Sequence, residues 1–521
     1  MLRVNRLAHP DPELRSVTGF ARAFGHPTGT ARLSPSTVSR WENGLVPLSH
    51  STVRRYEVLL GVAPYLLIAT IDTLARYQTG GSAPGGVLDL RRRNWTGCDD
   101  LGRLDALLDQ VLDDGDISGP EWDELTTRLV SGPRLVAPRR VREAVAHRLV
   151  EESTISDGLS WMLRFESLNR LLAHADWAAE AVAACANVAA DRNHAAILEA
   201  VSYLDGSTHP DAARHLLRHL TRPTSDETFE GALFASVRKV RHRHLNQDQL
   251  ISVADVVADL LTGGGVAARN SVLAAAILPT LPWAPAHRAR LVRAAADHPA
   301  TRDVVLHGRL AAPDAARTVV ARVLSRLSGR HHGLGTHDIL RELVDEVLHH
   351  PVFDVRLYTG MLLRASPYRA PLAASLAAEF RVPATLAFVP RAVPLLNALR
   401  VLGGPPERGV VAAITLADGL PAEVVEAALH AMGHIGGSSP DRYWHDVLRR
   451  HGERRSPRTA LPFAAAGGDT RLKHLVYAMS MAGGQDASAR ACADPRLPAQ
   501  AHALSAWWRQ VPSHVRRSVL S

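Results

Sequence analysis

The side chains best suited to recognition chemistry are gathered in one short segment, Ser36, Thr37, Ser39 and Arg40. Hydroxyls both donate and accept hydrogen bonds, and a guanidinium can fork onto two acceptors, as on the edge of a guanine or on a phosphate. The segment holding them reads as a short helix with marked ends. Ser34 suits the N-cap, Pro35 the first helical position and Gly44 the C-terminal stop. Val38 and Trp41, three apart, share a face that can seat on a core, which leaves the hydroxyls and Arg40 to point elsewhere. An inner apolar stripe under an outer row of donors is what a helix lying in the DNA major groove requires.

The elements around it fit that use. Ser49 to Val62 reads as a second capped helix with Val53, Tyr56, Leu59 and Leu60 as its apolar stripe and Gly61 as its stop. Pro64 to Tyr77 is a third helical run, apolar enough through Leu66, Leu67, Ile68, Ile71 and Leu74 to close a small core. The run Ser36-Thr37-Val38-Ser39-Arg40-Trp41-Glu42-Asn43-Gly44, then Pro47, then Leu59-Leu60-Gly61-Val62, resembles the Cro-repressor or XRE family of helix-turn-helix domains over roughly residues 11 to 77. The resemblance implies a sequence-specific transcriptional regulator that binds double-stranded DNA as a homodimer. It also implies structural roles: Val38 and Trp41 pack inward, and Glu42 ties down the turn after the recognition helix. Upstream the chain departs from the family. The helix before the turn is best matched by Thr18 to Gly25, with Phe20, Ala21 and Phe24 inward, but His26 to Leu33 make an enlarged turn where three or four residues are usual. Pro10 and Pro12 interrupt the expected first helix, and Thr28, Thr30 and Arg32 in the turn are candidates for phosphate contact.

Charge points the same way. Residues 1 to 97 carry 12 arginines against 6 acidic residues, so most of the formal net charge of +8 lies in the first fifth of the 521-residue chain. Phosphate neutralisation supplies much of DNA affinity, so Arg54 and Arg55 on the second capped helix join the candidates as backbone contacts. The chain has only two lysines, Lys239 and Lys473, a skew typical of GC-rich coding that weakens any argument from arginine count alone.

Beyond Tyr77 the sequence divides into a flexible basic linker at 78–97, ending in Arg91-Arg92-Arg93, and a long helical remainder. Across 98–330 Val, Leu and Ala recur at helical spacing between Pro and Gly breaks, without a dependable period. Across 331–521 three runs, Pro351 to Leu363, Val393 to Gly404 and Val424 to Gly437, resemble HEAT repeat helices, and two double glycines stand 33 residues apart. The expected fold class is all-α: a small helix-turn-helix domain followed by an α-solenoid-like helical repeat region that binds a partner protein, a small-molecule effector or a second subunit.

Catalytic and metal patterns are lacking. Neither lysine follows a phosphate-loop glycine, and H-E-x-x-H and G-x-S-x-G do not occur. Cys98, Cys185 and Cys492 form no metal or disulfide spacing. The histidines at 331–332, 337 and 349–350 read as solvated, as does the basic run from Arg238 to His244. No enzyme, cofactor or metal is expected. No run of 18 apolar residues and no signal-peptide core is present, so a cytoplasmic, nucleoid-associated protein is expected. The competing reading is an interaction scaffold whose N-terminal domain docks protein rather than DNA.

Overall fold

A computed structural model describes residues 1–25, 33–80, 98–131, 137–191, 194–263, 268–327, 337–451, 470–482 and 499–511, all of them helical or connecting, without a strand. The enlarged turn, most of the basic linker and the His331-His332 pair lie outside the described residues. The chain is all-α.

Six helices form the N-terminal unit: α1 (Leu2–Leu7), α2 (Pro12–Arg15), α3 (Val17–Phe24), α4 (Pro35–Glu42), α5 (His50–Leu60) and α6 (Leu66–Thr79). The interruption expected at Pro10 and Pro12 is real: Asp11 caps α2, Pro12 opens it, and Ser16 caps α3. Phe20, Ala21, Val38, Val53, Tyr56, Leu60, Leu67 and Ile68 close one core. Burial of apolar surface on this scale is what seats helices too short to be stable alone.

The last helix of the unit does more than close that core. Leu67 and Ile68 face inward to the N-terminal unit, whereas Ala69 and Tyr77 pack with Met162, Leu163, Tyr358 and Met361 of the helical body. The helix runs to Thr79 rather than giving way to a linker at 78. Arg76 donates through Nε to both carboxylate oxygens of Glu166 at 2.9 and 3.1 Å, and its guanidinium lies 4.6 Å from the Phe165 ring centre.

The body is built of two alternating rows of helices. In one half Arg139–Ile155, Ala178–Ala190, Pro210–Thr221, Gln247–Thr262 and Pro285–Asp297 follow one another along one layer. In the other half Phe353–Arg364, Val389–Leu402, Ala422–His434 and Thr470–Ala482 pack side by side, backed by Arg369–Glu379, Pro405–Leu416 and Asp441–His451. This is the arrangement of a helical repeat, in which each helix pair buries its apolar face only against its neighbours. The three HEAT-like runs are consecutive members of a single row. Gly433 lets two of its members pack closely, because a Cβ there would meet the Tyr477 ring at 2.4 Å.

In the basic run from Arg238 to His244, Arg241 and Arg243 are exposed as expected, but Arg238 and Lys239 are not solvated. Arg238 is buried and pairs with Asp354 at 2.7 Å and Asp205 at 3.0 Å, and Lys239 is buried on the Ser207 carbonyl. His242 bonds the Tyr77 carbonyl at 2.8 Å, and Arg241 covers the Tyr77 ring at 4.5 Å. The run ties the two halves of the body and α6 together. Charged side chains at such a junction must be paired, since an unpaired buried charge costs several kcal/mol.

Candidate nucleic-acid interface

The local sequence builds α4 as expected. The Ser34 hydroxyl accepts from the Thr37 N–H at 3.2 Å, Pro35 occupies the first turn, and Gly44 adopts φ +69° after Asn43 while the Leu45 N–H closes on the Arg40 carbonyl at 2.9 Å. Such a left-handed glycine is what lets the chain leave the helix sharply.

The inner face is aromatic. Val38 is fully buried, and Trp41 meets Phe24 at 5.3 Å and Tyr56 at 6.3 Å between ring centres. Phe20 adds a further contact to Tyr56 at 4.9 Å. These four rings come from α3, α4 and α5, so they lock α4 against both neighbours.

Glu42 is structural, as the resemblance implied, but its partner is different. Both its oxygens accept from Arg6, at 2.6 Å from Nε and 2.8 Å from Nη2, and both side chains are only 3% exposed. Arg6 also donates to the Arg15 carbonyl. Glu42 therefore ties the end of α4 to α1 and, through Arg6, to α2, rather than fastening the turn that follows. Bidentate geometry between a planar fork and a carboxylate fixes direction as well as distance.

The same device recurs one helix later. Glu57 is buried and accepts from the backbone N–H groups of Tyr65 and Leu67, both at 2.8 Å. It thereby caps α6, whose N-cap residue Tyr65 offers no side-chain acceptor and has φ +68°. The sequence contains the cue: Ser34-Pro-Ser-Thr-Val-Ser-Arg-Trp-Glu42 is echoed 15 residues on by Ser49-His-Ser-Thr-Val-Arg-Arg-Tyr-Glu57. Each copy places a serine cap, a buried valine, a buried or half-buried aromatic and a carboxylate that grips another helix.

The six candidate contact residues separate into two groups. Ser36 and Arg40 are exposed, and Thr37 and Ser39 are half-exposed along the same helix. Arg40 has no ion-pair partner among the described residues. The Ser36 and Thr37 hydroxyls lie 2.8 and 2.9 Å from the Ser34 hydroxyl, and each keeps capacity for another bond. Arg54 and Arg55 are used internally. Arg54 pairs with Glu57 and lies 4.1 Å over the Tyr65 ring, and Arg55 donates to the Ala23 carbonyl at 2.8 Å. These bonds hold α5 to α3 and α6.

No protein-family model, curated protein or solved structure matches the chain. Among the described arginines of this unit, Arg6, Arg22, Arg54 and Arg76 are each paired with a carboxylate. Among the described residues of α4, Arg40 is a cation left without an ion-pair partner on the donor face.

No helix among the described residues is long and apolar enough to cross a membrane, and none of their side chains group into a metal-binding cluster. His349, one of the histidines read as solvated, is buried and bonded to Asp345 at 3.1 Å. Trp508 is buried against Tyr477, with ring centres 5.3 Å apart.

Proposed function

We propose that the chain is a sequence-specific DNA-binding transcriptional regulator in which α4 is the recognition helix. The observation that carries this reading is the two-sidedness of α4. Val38, Trp41 and the Arg6–Glu42 pair fix its inner face, while Ser36, Thr37, Ser39 and Arg40 line the outer one. In this reading Arg40 forks onto a guanine edge or a phosphate, and the hydroxyls bond base edges or backbone oxygens. The resemblance to the XRE family in the same residues supports the assignment, and a homodimer on two half-sites follows from it. The helical repeat then supplies the regulatory part, by binding an effector, a partner or the second subunit.

Selection of duplexes from a random pool with the full chain tests the proposal. A recurring motif, lost in the selection with Arg40→Ala, is the expected result. The full chain is the right reagent because α6 shares its buried face with the body, so a fragment ending after α6 would expose Ala69, Tyr77 and Arg76. A folded full chain that enriches no motif would point to the scaffold reading, in which the N-terminal unit docks protein.

A further inference from the structure

The two halves of the helical body meet across a polar junction. Asp157, at the head of the Gly158–Ala173 helix, pairs with His434 at 2.7 Å, at the end of the Ala422–His434 helix. Lys473 pairs with Glu227, and Arg269 bridges Glu230 at 2.6 Å and Glu426 at 3.4 Å. Between these ties lies a group of side chains that are deep in the fold yet keep some accessible surface: Glu199, Arg400, His430, His434, His474 and Tyr477. They come from four different helices, Ile197–Ser202, Val389–Leu402, Ala422–His434 and Thr470–Ala482. All six keep some accessible surface, so a small solute can reach them without unfolding a core.

Arg400 is the unusual member. Other deep-set arginines have oxygen partners: Arg76, Arg164 and Arg238 hold carboxylates, and Arg408 holds the Met432 and Ile435 carbonyls. Arg400 instead bonds the His430 ring nitrogen Nε2 at 3.2 Å and lies 5.4 Å from the Phe353 ring centre, with no carboxylate or carbonyl partner among the described residues. Burial lowers its pKa without removing its charge at neutral pH. Nearby, the His430 and His474 rings stack at 4.3 Å with 9° between planes, and His434 Nε2 has no hydrogen-bond partner. Burial first, then the neighbouring cations and imidazoles, pushes His430 well down and His474 to about 3, so both rings are neutral. Neutral imidazoles carry one N–H donor each and do not satisfy a guanidinium as an anion does.

We propose that this junction binds a small molecule bearing a carboxylate or phosphate on a flat apolar body, with Arg400 as its charge partner. The neighbouring imidazoles supply hydrogen-bond partners, and Phe353, Tyr477 and the stacked histidine pair supply apolar and aromatic surface for the body of the ligand. Of the carboxylates acting on Arg400 among the described residues, Asp157 is held by His434 and Glu199 has no ion-pair partner. Burial raises it to about 7, so it is largely protonated just below neutrality and yields to an incoming anion. Because the lining comes from both halves, ligand binding would bear on how they sit together. The assignment deepens the regulatory reading of the repeat, and it stands or falls without reference to DNA.

Calorimetric titration of the DNA-free full chain with benzoate, phenyl phosphate and inorganic phosphate tests it. Saturable binding of benzoate or phenyl phosphate is expected, and which of the two binds distinguishes a carboxylate ligand from a phosphate one. Arg400→Met should weaken that binding at least tenfold, while Arg293→Ala, on the distant Pro285–Asp297 helix, leaves it unchanged. If Arg400→Met does not fold, Glu199→Gln decides: removing the facing carboxylate should tighten binding severalfold at pH 8. No binding of any aryl probe, binding indifferent to Arg400→Met, or binding unaltered by Glu199→Gln at pH 8 would overturn the assignment. Loss of DNA binding by the same preparations would count only against the recognition-helix reading.

Discussion

Arg6 and Glu42, 36 residues apart, form a doubly hydrogen-bonded pair from which water is almost excluded, joining the first helix of the chain to the end of α4. It makes the pose of the exposed donors depend on a contact on the opposite side of the helix.

Removing one partner should therefore cost more than the pair is worth. Arg6→Ala or Glu42→Gln leaves a buried, uncompensated group, an effect on the order of 3–5 kcal/mol. Hydrogen exchange of the α4 amides should accelerate in both variants while the helices of the body stay protected. Unchanged protection of α4 would mean that the aromatic cluster alone holds it.

The arginines should separate by function. Arg40→Ala is expected to weaken DNA binding by about 1–3 kcal/mol and, if Arg40 meets a phosphate, to reduce the slope of affinity against salt by about one. Arg54→Ala should lower thermal stability by loosening Glu57 from α6, with the salt slope unchanged. A reduced slope in Arg54→Ala would return that side chain to the interface.

The junction at Arg238 gives a stability prediction. Arg238→Met strands Asp354 and Asp205, both buried, and should destabilise the chain by about 3–5 kcal/mol. A urea titration that shows a loss below about 1 kcal/mol would indicate that the pair is solvated.

Glu199 sets a pH dependence. Its folded-state pKa of about 7 lies above the ordinary 4.5, so the folded chain keeps a proton that the unfolded chain has released between those values. The associated stability is full below about 4.5 and is lost as pH rises through about 7. Across that window the melting temperature of the native chain should fall relative to Glu199→Gln. Parallel profiles would show that Glu199 titrates normally.

What the sequence reveals and what it hides follow from the range of the forces. Caps, proline starts and glycine stops act within a few residues, so Ser34, Pro35, Ser49 and Gly61 mark α4 and α5 directly. The apolar stripe of α5 is equally plain, because helical spacing is a local property. Partners such as Arg6 with Glu42, Arg76 with Glu166 and Arg238 with Asp354 are separated by 36, 90 and 116 residues, and no spacing rule finds them. That is why Arg238 and Lys239 read as solvated in the sequence and are buried ties in the fold, whereas Arg241 and Arg243 of the same run are exposed as expected. The internal bonds of Arg54 and Arg55 are equally hidden, since they depend on how α5 meets α3 and α6. The echo between Ser34–Glu42 and Ser49–Glu57 was visible, and it announces that both glutamates are structural.

The most direct measurement is fluorescence anisotropy of a selected duplex with the full chain across a range of salt, comparing the native sequence with the double variant Ser36→Ala, Arg40→Ala. Tight, salt-dependent binding of the native chain is expected, with a loss of at least tenfold in the variant, whose circular dichroism and melting temperature remain native. Equal binding by the two folded proteins, with the same salt slope, would contradict the assignment of α4 as the recognition helix.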